Sequence, residues 1–214
     1  QRQLELTGVE VKLNCRVDAS MLKAGDFDEV ILATGITPRT PDIDGIEHFK
    51  VLSYLEVMNG AEVGRRVAVI GAGGIGFDIS EVLVHRGVST SQDREAFMAE
   101  WGIDMSLQAR GGVEGVQPQF EEAARQLYLL QRKSSKVGAK LGKTTGWIHR
   151  TDLTKKGVQM LSGCEYQKID DQGLHLLVNG EAKLLDVDNV VICAGQESCR
   201  ELAEQLQDQT VHLI

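Results

Sequence analysis

The chain has 214 residues, 42% hydrophobic and 25% charged, with a net charge of -8. That is enough apolar material for one large domain or two small ones, and the acidity argues against a surface for nucleic acid. No apolar run approaches the ~20 residues of a membrane span, and the start QRQLELTG has neither a basic leader nor an apolar segment, so the expectation is a cytoplasmic protein with no membrane partner.

In chain order, Gly8 to Cys15 alternates Val9, Val11 and Leu13 with polar neighbours and predicts a strand. A second strand is predicted at Val30-Ile31-Leu32-Ala33, within FDEVILATG, and the loop ITPRTPDIDG with Pro38 and Pro41 reads as a domain exit. Glu47 to Asn59 predicts a short helix carrying Leu52, Leu55 and Val57.

The most informative stretch is Arg66 to Arg86, RVAVIGAGGIGFDISEVLVHR. The apolar run Val67-Ala68-Val69-Ile70 leads directly into Gly71-Ala72-Gly73-Gly74-Ile75-Gly76, and a helical pattern with Ile79, Val82 and Leu83 follows. Strand, glycine turn and helix in that order suit a dinucleotide. Gly71 permits the sharp turn, Gly73 lets the backbone approach a pyrophosphate, and Gly76 lets helix and strand pack closely. Free N–H groups at the helix start would face the phosphates.

Residues 89–122, with Trp101, Met105, the Gly111-Gly112 pair and Pro118, read as a surface insertion of helix and loop. It is either a lengthened connection or a lid or interface towards a neighbouring domain. The next strand is Leu127 to Leu130, and the segment after it, Gln131-Arg132-Lys133-Ser134-Ser135-Lys136, has no carboxylate where an NAD site uses one on the ribose hydroxyls. A neutral Gln131 followed by Arg132 and Lys133 favours a 2′-phosphate, hence NADP(H) over NAD(H).

Leu141 to Trp147, LGKTTGW, resembles a phosphate-binding P-loop, but the required glycine would fall at Val137, and Gly138 is one place too close. The segment therefore reads as a loop opening onto a helix from Trp147 to Lys156, in which Lys143 and Thr144 could still reach cofactor phosphates. A further strand is predicted at Val158 to Leu161. The period then shortens to a three-stranded meander, Glu165 to Ile169, Gly173 to Val178 and Glu181 to Val187, before a buried strand in Asn189 to Gly195. NVVICAG echoes the earlier EVILATG.

Cys15, Cys164, Cys193 and Cys199 form no CxxC pair and are spread too widely for a compact zinc or iron–sulfur site, so no metal ligand is assigned. His149 and His175 read as a surface or capping residue and a strand residue, and no catalytic acid or base is assigned.

The order VILATG, VAVIGAGGIGFD, meander, VVICAG resembles flavoprotein reductases with two dinucleotide domains. The strings QRKSSKVGAKLGKTTGWIHRT, YQKIDDQGLH and DNVVICAGQE are similar to the NADPH domain of the bacterial 2,4-dienoyl-CoA reductases, over essentially all of the chain. The resemblance implies an α/β fold: a Rossmann-like FAD/NAD(P)-binding domain with a parallel sheet and an antiparallel meander, beside partial remnants of a second nucleotide domain. It implies a remnant of an FAD domain at 1–43, a linker at 44–64, an NADPH-binding domain at 65–195 and a second FAD-domain remnant at 196–214. The fragment would hold NADP(H), with the pyrophosphate on Gly71 to Gly76, the 2′-phosphate on Arg132 and Lys133, and the nicotinamide near Ala194-Gly195-Gln196. FAD, FMN and a 4Fe-4S cluster, and the missing FAD and barrel domains, are implied only for a full-length enzyme; an excised piece alone would be inactive. Two other classes share these motifs: an electron-delivery module for a different acceptor, and a non-enzymatic NADP(H)-binding module.

Overall fold

A computed structural model describes residues 2–87, 89–206 and 210–213. The chain divides into two compact units, Gln1–Thr37 with Gln196–Ile214, and Pro38–Gly195.

The first unit begins with helices α1 (Arg2–Leu6) and α2 (Ala19–Ala24), then β1 (Val30–Leu32) and β2 (Ile36–Pro38). Asp18 caps α2 by accepting from the Met21 amide at 2.9 Å. The strand expected over Gly8 to Cys15 does not form. Val9, Val11 and Leu13 are exposed, and alternation without a partner strand leaves the backbone groups to water.

The larger unit contains β3 (Val51–Ser53), α3 (Tyr54–Met58), β4 (Arg66–Ile70), α4 (Gly74–Val84), α5 (Arg94–Trp101), β5 (Gln126–Leu130), α6 (Gly146–Lys155), β6 (Gln159–Leu161), β7 (Cys164–Asp170), β8 (Gly173–Val178), β9 (Glu181–Leu185) and β10 (Asn189–Ile192). The chain then returns to the first unit with β11 (Gln196–Ser198), α7 (Glu201–Glu204) and β12 (Val211–Leu213), the last parallel to β1. Val30 and Leu32 pack there with Leu206.

Five strands form a parallel sheet in the order β3-β10-β4-β5-β6. Strands buried on both faces need continuous apolar runs, which is why RVAVI, QLYLL and NVVI lack the polar alternation of a half-exposed strand. On one face Val67, Val69, Leu129 and Val191 meet the helices through Phe77, Ile79, Leu83 and Leu153. On the other, Ala68, Ile70, Val190 and Ile192 meet the meander through Ile169, Leu174, Leu176 and Leu185. The meander β7-β8-β9 is antiparallel, with Asn179 (φ 51°) and Gly180 (φ 88°) turning β8 into β9. The chain is therefore an α/β protein of Rossmann-like architecture, a parallel sheet joined to antiparallel strands.

The helix expected over Glu47 to Asn59 is shorter. Val51 to Ser53 is drawn into the sheet as an edge strand by pairing with β10, and Ser53 then starts α3 through a capping box with Glu56. Residues 44–64, expected as a linker, thus contribute β3 and α3, with Tyr54 and Val57 buried in the core. The insertion is a 3-10 turn at Thr90–Gln92, then α5 capped by Asp93, and a loop organised by Asp104. That carboxylate accepts from the amides of Ser106 (2.8 Å), Gln108 (2.7 Å) and Ala109 (2.6 Å) and from the Ser106 hydroxyl (2.6 Å). Lys155 lies 4.8 Å from the Trp101 ring centroid and 4.3 Å from that of Phe120, docking the insertion against α6 by cation–π contact.

Candidate functional site: the glycine turn at the sheet edge

The glycine turn leaves the C-terminal end of β4, the middle strand, so its neighbours are the ends of β10 and β5. The Gly71 amide donates to the Leu130 carbonyl at 3.0 Å and the Cys193 amide to Ile70 at 2.8 Å. The end of β4 is also the point where strand order reverses, β5 and β6 lying to one side and β10 and β3 to the other. Ligands of open α/β sheets bind in the crevice at such a point.

The four glycines have different reasons for lacking a side chain. Gly71 adopts φ +113°, and a Cβ there would lie 2.2 Å from the Cys193 carbonyl oxygen. A Cβ on Gly76 would lie 1.8 Å from the Gly71 oxygen, so this glycine sets how closely α4 approaches its own turn. Added Cβ atoms at Gly73 and Gly74, in contrast, would meet nothing within 4 Å. Neither residue has positive φ, so packing and backbone strain do not explain the choice of glycine; the open space beside them suits a group that approaches the backbone closely. Gly73 is also the N-cap of α4 and supplies no side-chain cap, leaving the first amides of the helix available to an anion. These features fit a dinucleotide pyrophosphate. Ala72 and Ile75 complete the turn, both half-buried.

On the β5 side, residues 131–136 form a braced loop. The Gln131 side-chain amide donates to the carbonyls of Lys133 (3.0 Å) and Ser135 (2.8 Å), and the Gly163 amide donates to the Lys133 carbonyl at 3.0 Å. Gln131 therefore spends its donors on the loop and holds Arg132 and Lys133, both exposed, in place. Val137 and Gly138 anchor the far end of the loop, both buried, with Gly138 tight against the Phe77 ring. Lys140, which sequence reasoning did not assign, comes alongside Lys133. Its ammonium, with a smaller push from Arg132, holds the Lys133 pKa below the usual lysine value. Crowded cations with no carboxylate paired to them among the described residues suit a dianionic phosphate. Lys143 and Thr144 lie exposed in the loop before α6.

On the β10 side, Ala194 and Gly195 continue from Ile192 past Gly71. Gly195 (φ +111°) accepts from the Arg39 amide at 3.0 Å. Cys193 is buried directly behind the glycine turn, and burial pushes its thiol up to about 12, so it packs as a neutral group. Gln196 opens β11 in the other unit.

The histidines have partners distant in the chain or across a hairpin, which no local pattern marks. His149 Nδ1 contacts Glu81 Oε1 across 68 residues, and His175 Nε2 lies 3.0 Å from Asp170 Oδ1, which holds that carboxyl at about 2. The His149–Glu81 pair lines a cavity of about 450 Å3 between α4, α6 and the insertion, away from the glycine turn.

A family model for pyridine nucleotide-disulphide oxidoreductases matches residues 3–212. The chain is 24% identical over 211 residues to a metal reductase of Desulforamulus reducens, covering 96% of this chain and 30% of that protein. It is 28% identical over 201 residues to a cinnamate reductase of Clostridium sporogenes, covering 94% of this chain and 25% of that protein. Among solved structures, a 2-naphthoyl-CoA reductase complex superposes with a TM-score of 0.70 at 21% identity, over 100% of this chain and 27% of that chain, a likeness of fold. The chain thus spans less than a third of the length of these relatives. With the family model covering nearly every residue, the chain belongs to the pyridine nucleotide-disulphide oxidoreductases, a family that binds FAD and NAD(P)H.

Proposed function

We propose that the chain is the NADPH-binding part of a flavoprotein oxidoreductase. In a longer protein it would pass hydride from NADPH to FAD, and electrons would continue through a 4Fe-4S cluster and FMN to reduce a 2,4-dienoyl-CoA in the oxidation of unsaturated fatty acids. The observation that carries the reading is the division of labour in the turn, where Gly71 and Gly76 are closed by backbone while Gly73 and Gly74 open onto free space. The amides that begin α4 would hold the pyrophosphate. Arg132 and Lys133, braced by Gln131 and joined by Lys140, would hold the 2′-phosphate. Ala194 and Gly195, beside Gly71 at the end of β10, would border the nicotinamide, with Gln196 as the residue of that turn that belongs to the other unit. When bound, NADPH supplies the hydride. The residues of this chain bind and orient it, and none is given a proton to move.

The finer acceptor assignment rests on the resemblance of residues 131–151, 166–175 and 188–197 to the dienoyl-CoA reductases, and the match to a cinnamate reductase, named for an unsaturated acid, is consistent with it. A second reading, electron delivery to a different acceptor, is favoured by the match to a metal reductase over 96% of the chain. Rapid-mixing absorbance on the full-length protein tests both. We expect NADPH to bleach the flavin and a 2,4-dienoyl-CoA to restore it. Bleaching that only a metal ion reverses would select the second reading, and no bleaching at all would leave a binding module without hydride transfer.

A further inference from the structure

We propose an amine site in the cavity between α4, α6 and the insertion, taking a ligand that carries one ammonium group on an apolar body. The site is separate from the glycine turn, and the inference does not rest on what that turn binds. At about 450 Å3 the cavity falls within the range of small-molecule sites. Val82 on α4, Phe97 on α5 and Ile148 on α6 line it, with 50%, 40% and 36% of their surfaces exposed. Large apolar side chains from three helices, left to solvent around one concavity, make a wall that a hydrocarbon body would cover.

The polar lining selects the charge on that body. Carboxylates of Glu81, Glu100, Glu121 and Asp152 face Lys156, Arg86 and two imidazoles. The Lys156 ammonium lies 3.1 Å from Asp152 and 3.7 Å from Glu100, so one cation serves two carboxylates. Arg86 is turned to Glu122, 3.8 Å away and outside the lining. Glu81 contacts the His149 ring through Oε1, and the His85 ring lies 3.0 Å from the Gly87 carbonyl. Among the described residues, Glu81 Oε2, Asp152 Oδ1 and both oxygens of Glu121 are left without a hydrogen bond, and Glu121 has no ion pair either. Acceptors outnumber the chain's own cations around this cavity, and an ammonium brings three donors together with the missing charge.

The arrangement of the two linings narrows the ligand. Glu81 adjoins Val82 on α4 and His149 adjoins Ile148 on α6, so on both helices a polar and an apolar group reach the cavity side by side. The rings of Trp101 and Phe120 already receive Lys155, and the ligand's body is therefore left to Phe97, whose ring takes no cation among the described residues and stands 6.3 Å from Trp101. An aromatic body packs on Phe97 edge to face or offset. A polyamine, in contrast, would set its further charges against the apolar wall. The chemistry is thus an arylalkylamine, its ring against Val82, Phe97 and Ile148 and its ammonium among Glu81, Glu121 and Asp152.

The probe is phenethylamine, followed by fluorescence in a Trp147→Phe chain, where Trp101, in the cavity lining, is the remaining tryptophan of two. We expect a saturable change at neutral pH. Methylammonium, which has the charge without the body, and phenylethanol, which has the body without the charge, should each bind at least about tenfold more weakly. Glu121→Gln and Phe97→Ala should each lower the affinity about fivefold to tenfold. Circular dichroism checks that both fold, and Glu121, being exposed, can be changed without disturbing the core. Saturating NADPH and a Gly73→Val background should leave the amine affinity unchanged, so that a failure of the dinucleotide reading and a failure of this one are told apart. A response that does not saturate, equal binding by either control compound, indifference to both variants, or displacement by NADPH would overturn the proposal.

Discussion

The contrast between Gly76 and Gly73 can be tested quantitatively. In Gly76→Ala the new methyl would lie 1.8 Å from the Gly71 carbonyl oxygen, and a tolerable contact begins near 3.0 Å, so the start of α4 must retreat by about 1.2 Å. Overpacking of this kind costs about 3 kcal/mol, while alanine's better helix propensity returns about 1 kcal/mol. The net loss of about 2 kcal/mol corresponds to a fall in Tm of about 4–8 °C for a domain of this size. In Gly73→Val the added Cβ meets no atom within 4 Å, and the expected loss is that of the N-cap preference, about 1 kcal/mol or 2–4 °C. The binding effects should run the other way: the valine side chain occupies the pyrophosphate's space and should abolish NADPH binding, while Gly76→Ala, once folded, should weaken it by displacing the helix start. Calorimetric melting and NADPH titration of both variants check this. Equal melting temperatures, or micromolar NADPH binding retained by Gly73→Val, would refute the assignment of roles within the turn.

The basic loop predicts nucleotide choice: NADPH should bind more tightly than NADH, and Arg132→Ala should narrow the gap about tenfold by removing a charge-assisted contact that only the 2′-phosphate receives. Calorimetry on both proteins reads this directly, and equal affinities in the wild type would count against it. Hydrogen bonds from Ala109, Ser106 and Gln108 hold the Asp104 carboxyl down to about 2. Because the folded value is depressed, the loop's stabilisation is complete above the ordinary carboxylate range near pH 4 and is lost as the pH falls towards 2. Asp104→Ala should reproduce that loss at neutral pH, speeding amide exchange at Ser106, Gln108 and Ala109 on the order of tenfold while leaving β4 and β5 protected. Finally, the 214-residue chain should purify colourless and oxidise no NADPH in the presence of a dienoyl-CoA, since the glycine turn at 71–76 is the only strand–glycine–helix cradle among the described residues and is assigned to NADPH. A yellow preparation with stoichiometric FAD would reassign that turn.

The elements that the sequence determined alone are those whose signal is local. The apolar runs of β4, β5 and β10 report burial on two faces, the glycines after Ile70 report a turn and a close approach, and the Asn179-Gly180 pair reports a hairpin, because each depends on a few adjacent residues and their backbone preferences. Gly8 to Cys15 had the same local pattern and no partner, and Val51 to Ser53 had a helical pattern until pairing with β10 outweighed it, since strand formation is decided by the neighbouring strand and not by the strand itself. Tertiary structure alone decided which ends meet at the site. The order β10-β4-β5 brings Ala194 and Gly195 to one side of Gly71 and Arg132 and Lys133 to the other. Packing also brought Lys140 to Lys133, Glu81 to His149, and Glu100 to Lys156. Charges separated by several to dozens of residues interact only through space, and a one-dimensional pattern carries no record of that distance.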